Sequence, residues 1–334
     1  MHYIGLDIHK KDTQACVLDE NGKFVLGERI RTDVADIGHF FEKIERMNDD
    51  DLSVVIEATG FYFWIHDVIK DRNHEVKVVH PAAAKGMMKE RSKTDRNDAY
   101  MLARLLRLGE LDGIYVPSKE VRDMRDLTRH RESLVRKKGD LKREVLAHLL
   151  QKGVKVPAEH RTNFSQKHVA WMRSLDDFVI NERLDVLELI MEKIGNVEKL
   201  IEERYGTDEE IELIRTVPGI GMVTASVIKA EIGDLARFSS AKDLAAYVGL
   251  TPMTYQSGEK QWSGHTRPGN NRIKHVLIEA TLFHFRNCPT SKISQYYQRK
   301  QDAIGKKKAI VAGGRKMLEA IFFMLVRKQA FHAH

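Results

Sequence analysis

The sequence predicts a mixed α/β N-terminal domain, a long helical middle region and a mainly helical, basic C-terminal region. Three observations support this fold class. Short apolar runs separated by turn signals fill the first 80 residues, leucines recur at helical spacing in the middle of the chain, and basic residues dominate beyond 257. The 334 residues are long enough for two or three domains, and we expect their boundaries at 1–117, 118–205 and 206–334.

The N-terminal elements are predicted in the order strand, strand, strand, helix, strand, helix, strand. Asn21-Gly22 indicates the tight turn of a hairpin, and apolar residues at 3.6-residue spacing indicate the first helix. The predicted strands are 3–8, 14–18, 23–30, 52–56 and 76–79, and the predicted helices are 33–47 and 61–70. This is the order of an RNase H-type sheet, in which the first and fourth strands are adjacent. A linker at 82–93 leads to a further helix at 97–108.

The middle region is predicted to form two long helices, at 118–151 and 176–205. Heptad-like spacing is seen in the first of them, at Leu127, Leu134, Leu141 and Val145. The economical interpretation is an antiparallel coiled-coil arm, which also contacts another subunit because it cannot bury all its apolar edges alone. A helical subdomain packed on the N-terminal sheet stays open as an alternative.

The C-terminal region is predicted to be helical around a loop at 251–271, with a last amphipathic helix from about Gly314. Residues 257–334 hold 15 Lys or Arg against four Asp or Glu, whereas the whole chain has a net charge of +7. This uneven distribution indicates a polyanionic partner, and nucleic acid is the leading candidate.

Other classes of protein are disfavoured by the composition. With 42% hydrophobic and 31% charged residues, the chain is neither collagen-like nor disordered. Its longest apolar runs are far shorter than the roughly 20 residues of a membrane-spanning helix, so we expect a cytosolic protein with no membrane partner. Cys16 and Cys288 lack the spacing of a zinc site or a disulfide framework.

Four carboxylates are the candidates for a metal site. Asp7 and Glu57 end predicted strands that are adjacent in the sheet, while Asp95 and Asp98 lie three residues apart at a helix start. Converging carboxylates repel one another unless a cation joins them, and oxygen ligands select Mg²⁺ or Mn²⁺. Two such ions about 3.5–4 Å apart can hold the attacking and leaving oxygens of a phosphodiester. Each residue alone fits a turn cap, an ion pair or a helix start, but the coincidence of four favours the metal site.

Two further motifs lie in the C-terminal region. Pro218-Gly219-Ile220-Gly221 sits between two apolar helices, as in a helix-hairpin-helix motif, where Pro218, Gly219 and Gly221 would expose backbone N–H groups to a phosphate. A tight αα-corner without a ligand is the alternative. Ser257 precedes a glycine in the polar loop, where a serine is usually a turn residue, since its hydroxyl is a poor nucleophile without an activating group.

These motifs together resemble the DEDD transposases of bacterial insertion sequences, the insertion-sequence one-ten family. The resemblance runs from residue 3 to about 320 and is carried by Gly5-Leu6-Asp7-Ile8-His9-Lys10, Ile56-Glu57-Ala58-Thr59-Gly60, Lys93-Thr94-Asp95-Arg96-Asn97-Asp98-Ala99, Pro218-Gly219-Ile220-Gly221, Gly249-Leu250-Thr251-Pro252, Tyr255-Gln256-Ser257-Gly258 and His265-Thr266-Arg267-Pro268-Gly269-Asn270.

The resemblance implies a RuvC-like RNase H-fold domain, a coiled-coil arm and a C-terminal transposase domain. It implies that Asp7, Glu57, Asp95 and Asp98 form the metal-binding catalytic tetrad and that Ser257 is the nucleophile. The implied activity is recombination of donor and target DNA guided by a structured bridge RNA, in the bacterial cytoplasm. Arg267, Arg272 and Lys274 are then expected to hold the scissile phosphate, and the arm to support a homo-oligomer, a dimer or tetramer.

Two functions of other classes remain open. A metal-dependent resolvase-type DNA nuclease would use the carboxylates and water, without a covalent serine intermediate. A non-catalytic nucleic-acid-binding protein would use the basic C-terminal region and the helix-hairpin-helix motif alone.

Overall fold

The chain divides into two compact units, Met1–Val116 and Pro117–His334. The computed structural model describes residues 1–47, 51–82, 94–160, 164–257, 260–266 and 268–332. Apart from Ala82, the linker expected at 82–93 lies outside the described residues. Since the long helices and the C-terminal region fall in one unit, the expected boundary between 205 and 206 stays a prediction.

The first unit is built on a mixed five-stranded sheet. Its elements are β1 (His2–Ile8), β2 (Asp12–Leu18), β3 (Phe24–Arg31), α1 (Val34–Met47), β4 (Leu52–Glu57), α2 (Tyr62–Lys70), β5 (Glu75–Val79) and α3 (Asp95–Arg107). The strand order is β3-β2-β1-β4-β5. β2 pairs antiparallel with β1 and β3, whereas β4 pairs parallel with β1 and β5. The predicted α/β character of this region is confirmed.

Each face of the sheet is covered by helices. On one face, Leu6 and Ile56 pack with Phe41 of α1 and Ile65 of α2 in a single buried cluster. On the other face, Val55 and Val79 pack with Leu102, Leu105 and Leu106 of α3. Successive strand residues point to opposite faces of a sheet. Asp7 and Glu57 lie two positions beyond Gly5 and Val55, so they belong to the face covered by α3.

α3 approaches β1 most closely at Gly5. A Cβ atom at this position would lie 2.2 Å from the carbonyl oxygen of Ala99 and 2.6 Å from the backbone nitrogen of Ala103. Both neighbours are backbone atoms of α3, so the helix can reach the sheet only because residue 5 has no side chain. The small side chains of Ala99 and Ala103, both fully buried, allow the same approach.

The second unit contains a pair of long antiparallel helices. The first part of the unit comprises α4 (Lys119–Gln151), α5 (Gln166–Arg173) and α6 (Phe178–Tyr205). Arg131 of α4 donates to Glu198 of α6 at 2.7 Å, and Lys152 just after α4 pairs with Asp177 just before α6. These ion pairs link early residues of one helix to late residues of the other, which fixes the antiparallel direction.

The rest of the second unit is helical apart from one pair of strands. Its elements are α7 (Glu209–Arg215), α8 (Met222–Ile232), α9 (Ala241–Val248), β6 (Pro252–Ser257), β7 (Lys260–Thr266), α10 (Asn271–Asn287), α11 (Lys292–Ile304) and α12 (Lys306–Arg327). A core of Ile214, Ile228, Leu244, Leu277 and Leu318 joins the helices. The predicted mainly helical character of this region is confirmed.

Two details differ from the sequence-based expectation. The segment predicted as a loop contains the antiparallel pair β6 and β7, whose signal is obscured by the Pro and Gly residues around it. The last helix begins at Lys306 instead of near Gly314. Glycines at 313 and 314 suggest a helix boundary, but they lie inside α12. Gly313 is required there by packing, since a Cβ atom would come within 2.8 Å of the Thr281 side chain on α10.

No helix of the described segments combines the length and the apolar character that crossing a membrane would require.

We expect Gly5→Ala to destabilise the first unit, because the added methyl group can be accommodated only if α3 moves away from β1. Such overpacking typically costs about 1–3 kcal/mol, and occasionally more. Gly60→Ala is the matched control, since a Cβ atom there would meet nothing within 4 Å. Urea unfolding of both variants measures the effect, and equal midpoints would contradict the close-packing argument.

Candidate functional site

Two of the predicted carboxylates lie at the carboxyl ends of two neighbouring interior strands of the sheet. Leu6 pairs with Ile56 in the parallel register of β1 and β4, so Asp7 and Glu57 are the next residues on these neighbouring strands. Both belong to the face covered by α3. Asp7 is buried, at 8% exposure, whereas Glu57 is half-buried. The structure therefore places Asp7 and Glu57 side by side on adjacent strands, as the strand order predicts.

The other two carboxylates lie in the first turn of α3. The helix starts at Asp95 because the Thr94 side chain accepts a hydrogen bond from the backbone N–H of Asn97. Asp95 and Asp98 then lie at the positive end of the helix dipole, which stabilises their negative charges. Packing of α3 at Gly5 brings this first turn toward Asp7, two residues further along β1.

A compact group of potential metal ligands results. Ligand atoms of Asp7, His9 and Asp95 all lie within 4.8 Å of one another. The Nε2 atom of His9 lies 3.1 Å from Oδ2 of Asp7 and 3.5 Å from Oδ1 of Asp95. Within the described part of the chain, Asp7, His9 and Asp95 form a group of three side chains at metal-ligand spacing. Glu57 and Asp98 are not part of this group.

The electrostatics of Asp7 are unfavourable for a bare carboxylate. Burial raises the pKa of Asp7, and the nearby charges of Asp95 and Asp98 raise it further, while the hydrogen bond and charge of His9 act in the opposite direction. The net direction is upward, so desolvation outweighs the help from His9. A cation at this position would favour the ionised form and remove the penalty.

His9 was not among the site residues predicted from the sequence. The signal was present: His9 follows Asp7 by two residues at the end of a strand, a spacing that favours the same side of the chain. Its imidazole contacts two carboxylates from different elements, and a histidine nitrogen is also an acceptable ligand for several divalent ions.

The Pro218-Gly219-Ile220-Gly221 segment joins α7 to α8 and is partly committed to packing. The carbonyl oxygen of Pro218 lies 2.8 Å from Nδ1 of His284, and Gly219 has a φ of +100° and packs against α10. Gly221 differs, because it is exposed and is the N-cap of α8 without a side-chain capping bond. Phosphate binding by this turn stays a prediction.

The predicted nucleophile and phosphate-binding residues lie around the β6–β7 pair. Ser257 is the last residue of β6 and pairs in register with Lys260 of β7. Arg267 lies outside the described residues. Arg272 donates to Glu132 of α4 at 2.6 Å, and Lys274 donates to the Thr266 hydroxyl at 2.7 Å. Both cations therefore have protein partners, and their contact with a phosphate stays a prediction.

Comparison with known proteins identifies the family of the chain. A family model for DEDD transposases of the IS110 type matches residues 4–153, and the model "Transposase IS116/IS110/IS902 family" matches residues 211–298. The transposase of insertion sequence element IS1111A from Coxiella burnetii is 24% identical, with 98% of this chain and 90% of the relative covered. The pilin gene-inverting protein of Moraxella lacunata is 26% identical, with 98% and 97% covered.

The first family model covers most of the first unit, with the carboxylate group, and continues into α4 of the second; the other covers the part of the second unit that holds Ser257. The chain belongs to the IS110 family of transposases and recombinases, enzymes that cleave and rejoin DNA.

Proposed function

We propose that this transposase is an RNA-guided, site-specific DNA recombinase with a serine nucleophile and a Mg²⁺-binding or Mn²⁺-binding carboxylate site. The observation that carries the proposal is the grouping of Asp7 and Asp95 with His9 at the end of β1, in a member of a DNA-cleaving family. Asp7, Glu57, Asp95 and Asp98 are assigned to the metal site, and Ser257 to the nucleophile.

The strand order supports an RNase H-type, RuvC-like domain. In that arrangement, two parallel central strands carry acidic residues at their carboxyl ends, and a helix from later in the chain adds more acids. Here β1 and β4 are parallel neighbours, Asp7 and Glu57 lie at their ends, and α3 brings Asp95 and Asp98. The fold therefore supplies the positions from which these four acids can share a metal site.

The donor set suits a divalent metal ion. Carboxylate oxygens are the ligands preferred by Mg²⁺ and Mn²⁺, and Asp7 is a buried carboxylate whose raised pKa indicates a charge that the protein alone does not compensate. When bound, the ion supplies Lewis-acid stabilisation of phosphodiester oxygens. Asp7 and Asp95 would hold it, and His9 would orient their carboxylates through the contacts described above.

Strand exchange requires that a cut DNA end be kept for its new partner. The Ser257 oxygen would attack the scissile phosphorus, forming a serine–phosphate ester as the bond to a deoxyribose oxygen breaks. The serine proton leaves to a base, and the departing deoxyribose oxygen takes up a proton. Attack by a hydroxyl of the second strand then reverses these changes and rejoins the DNA. The ester conserves the bond that hydrolysis would lose.

One cationic surface supports binding to donor DNA, target DNA and a structured guide RNA. Lys306, Lys307 and Lys308 are exposed in the first turn of α12 and form no ion pair with another described residue. Three cations at the positive end of a helix dipole are unfavourable in isolation, whereas a phosphate backbone would compensate them. Sequence choice would come from base pairing with the guide RNA.

The long helices support a coiled-coil arm and a homo-oligomer. Large apolar side chains stay exposed along α4 and α6, among them Leu150 at 79% and Phe178 at 76%. A second copy of the chain in a dimer or tetramer would bury them.

We expect Asp7→Asn to remove metal binding without destabilising the metal-free protein, because the substitution eliminates a buried charge that burial disfavours. For the wild type, a metal ion at about 100 times its Kd should stabilise the fold by about 2.7 kcal/mol. Thermal unfolding with and without MgCl₂ or MnCl₂ measures both effects. Asp112→Asn, at an exposed position of the same unit, is the control.

The metal-induced rise in Tm should also depend on pH. Because the pKa of Asp7 is raised, protons compete with the ion at a higher pH than for an ordinary aspartate. The rise in Tm should therefore shrink as the pH falls through this raised pKa. An unchanged metal response in Asp7→Asn would rule out the proposed site.

We expect Ser257→Ala to bind DNA and RNA yet neither cleave nor join DNA, since the attacking oxygen is gone. The cost in stability should stay below about 1 kcal/mol. Nicked DNA traps the covalent intermediate, and mass spectrometry of the digested protein locates it. Ser263→Ala, on the neighbouring strand β7, is the matched control. Normal strand exchange by Ser257→Ala, or an adduct on another residue, would instead favour the metal-dependent nuclease or a different nucleophile.

We expect replacement of Lys306, Lys307 and Lys308 by Gln to weaken DNA binding and reduce its salt dependence. Each lost phosphate contact lowers the slope of log K against log salt by about 0.9, so three contacts correspond to about 2.7. Helix stability should hold or rise, since three unfavourable charges are removed. Filter binding over a range of salt concentrations tests this, and an equal loss in a control lacking Lys23, Lys70 and Lys199 would show a general charge effect.

A further inference from the structure

The second unit contains a buried, fully paired carboxylate that the proposed mechanism does not use. The Glu231 side chain, on α8, is 2% exposed. Arg129 of α4 donates to both of its oxygens, with Nε at 2.7 Å and Nη2 at 3.0 Å, and Asn270 donates Nδ2 to Oε2 at 2.8 Å. Burial alone would raise the pKa of Glu231, but these hydrogen bonds and the arginine charges hold it below its usual value.

A buried ion pair of this kind holds its members in a fixed geometry. An uncompensated charge in the interior is strongly unfavourable, so Glu231 keeps its donors close. α4 is further tied to the end of α8 by Arg125, which donates to the carbonyl oxygens of Ala230 and Glu231 at 2.7 and 3.1 Å. The carboxylate is therefore a fixed acceptor for Asn270.

Asn270 uses both ends of its side-chain amide. Its Oδ1 accepts hydrogen bonds from the backbone N–H groups of Arg272 and Ile273, at 3.1 and 3.3 Å, and so caps α10. Its Nδ2 donates to Glu231. One side chain thus defines where α10 starts and fixes that start against α8 and α4.

The same point anchors both ends of the β6–β7 pair. The backbone N–H of Asn270 donates to the carbonyl oxygen of Tyr247 at 3.1 Å, and a Cβ atom at Gly269 would lie 2.3 Å from the backbone nitrogen of Gly249. Gly249 precedes β6 by three residues, and Gly269 follows β7 by three. The two chain segments that carry the strands therefore cross in direct contact beside Asn270.

We propose that Asn270, held by the Arg129–Glu231 pair, is a positioning residue that fixes the base of the strand pair carrying Ser257. This inference rests on the proposed role of Ser257. Asn270 touches neither substrate nor reacting atoms; it acts by setting where the strands leave the helical core. A displacement of about 1 Å at a reacting group can reduce a rate by about 100-fold, so a rigid base has a direct chemical consequence.

The test variant is Asn270→Ser, in the full-length protein. Serine is an equally good helix cap, so the start of α10 is preserved, but its short side chain cannot also donate to Glu231. We expect the rate of Ser257–DNA adduct formation at saturating nucleic acid to fall about 10-fold to 100-fold. The Kd values for DNA and RNA should stay at their wild-type values, because no phosphate contact is removed.

Three further variants separate positioning from loss of stability. Ser240, which is distant from Asn270 in the chain, caps α9 by accepting a hydrogen bond from the backbone N–H of Asp243. Ser240→Ala removes this cap and should lower Tm without slowing adduct formation. Asn270→Asp places a second carboxylate against Glu231 and should slow the reaction. Adding Glu231→Gln to Asn270→Asp leaves a single carboxylate in this contact, next to the positive charge of Arg129, and should restore most of the rate.

The outcomes are distinct. Adduct formation at the wild-type rate in Asn270→Ser overturns this inference. So does a slow rate in Asn270→Asp that the added Glu231→Gln does not rescue, or a rate that follows the loss in Tm across all variants. A wild-type protein that forms no adduct at Ser257 overturns the proposed function itself. Slow adduct formation in Asn270→Ser, unchanged Kd values and rescue by the double variant establish the positioning role.

Discussion

The close approach of α3 to β1 at Gly5 is the constraint on which the first unit depends. The backbone of α3 occupies the space that a side chain at residue 5 would take. Asp7 lies two residues further along β1, on the same face. Asp95 and Asp98 lie in the first turn of α3, which leads into the contact at Ala99. The contact that closes this side of the core therefore also brings the carboxylates together.

Site geometry and stability oppose each other at this point. Packing buries Asp7 and surrounds it with like charge, and the raised pKa of its carboxyl is the result. His9 offsets part of this through its contact with Asp7, but desolvation dominates. Such a cluster is tolerated because the surrounding sheet and helices supply a large apolar core, in which Leu6, Ile56 and Leu102 are fully buried. Functional sites commonly keep local strain of this kind within a stable frame.

In the second unit, the protein itself compensates the charge of a buried carboxylate. Glu231 is more deeply buried than Asp7, yet its pKa is lowered because Arg129 and Asn270 compensate it. The contrast between the two carboxylates is informative: an acid with all its partners supplied by the protein serves structure, whereas an acid without them is available for a ligand. The arginines of α4 also explain why the start of this long helix belongs to the same compact unit as α8 and α10.

The sequence by itself determined the features that depend on local pattern. The apolar run of β1, the Asn21-Gly22 turn and the spacing of α1 predicted the elements of the first unit within a few residues, and the strand order predicted β1 beside β4, with Asp7 beside Glu57. Tertiary packing decided the rest. Gly313 lies inside α12 because it packs against α10, where a side chain would not fit, and β6 forms although it starts with Pro252 because β7 pairs with it.

The same division holds for the functional residues. Strand ends and a helix start, both local, predicted the four carboxylates. The grouping of His9 with Asp7 and Asp95, and the contacts of Glu231 with Asn270 and Arg129, join residues up to 102 positions apart in the chain. No periodicity encodes such pairs, because they depend on how helices and strands pack, and packing is set by the whole core at once.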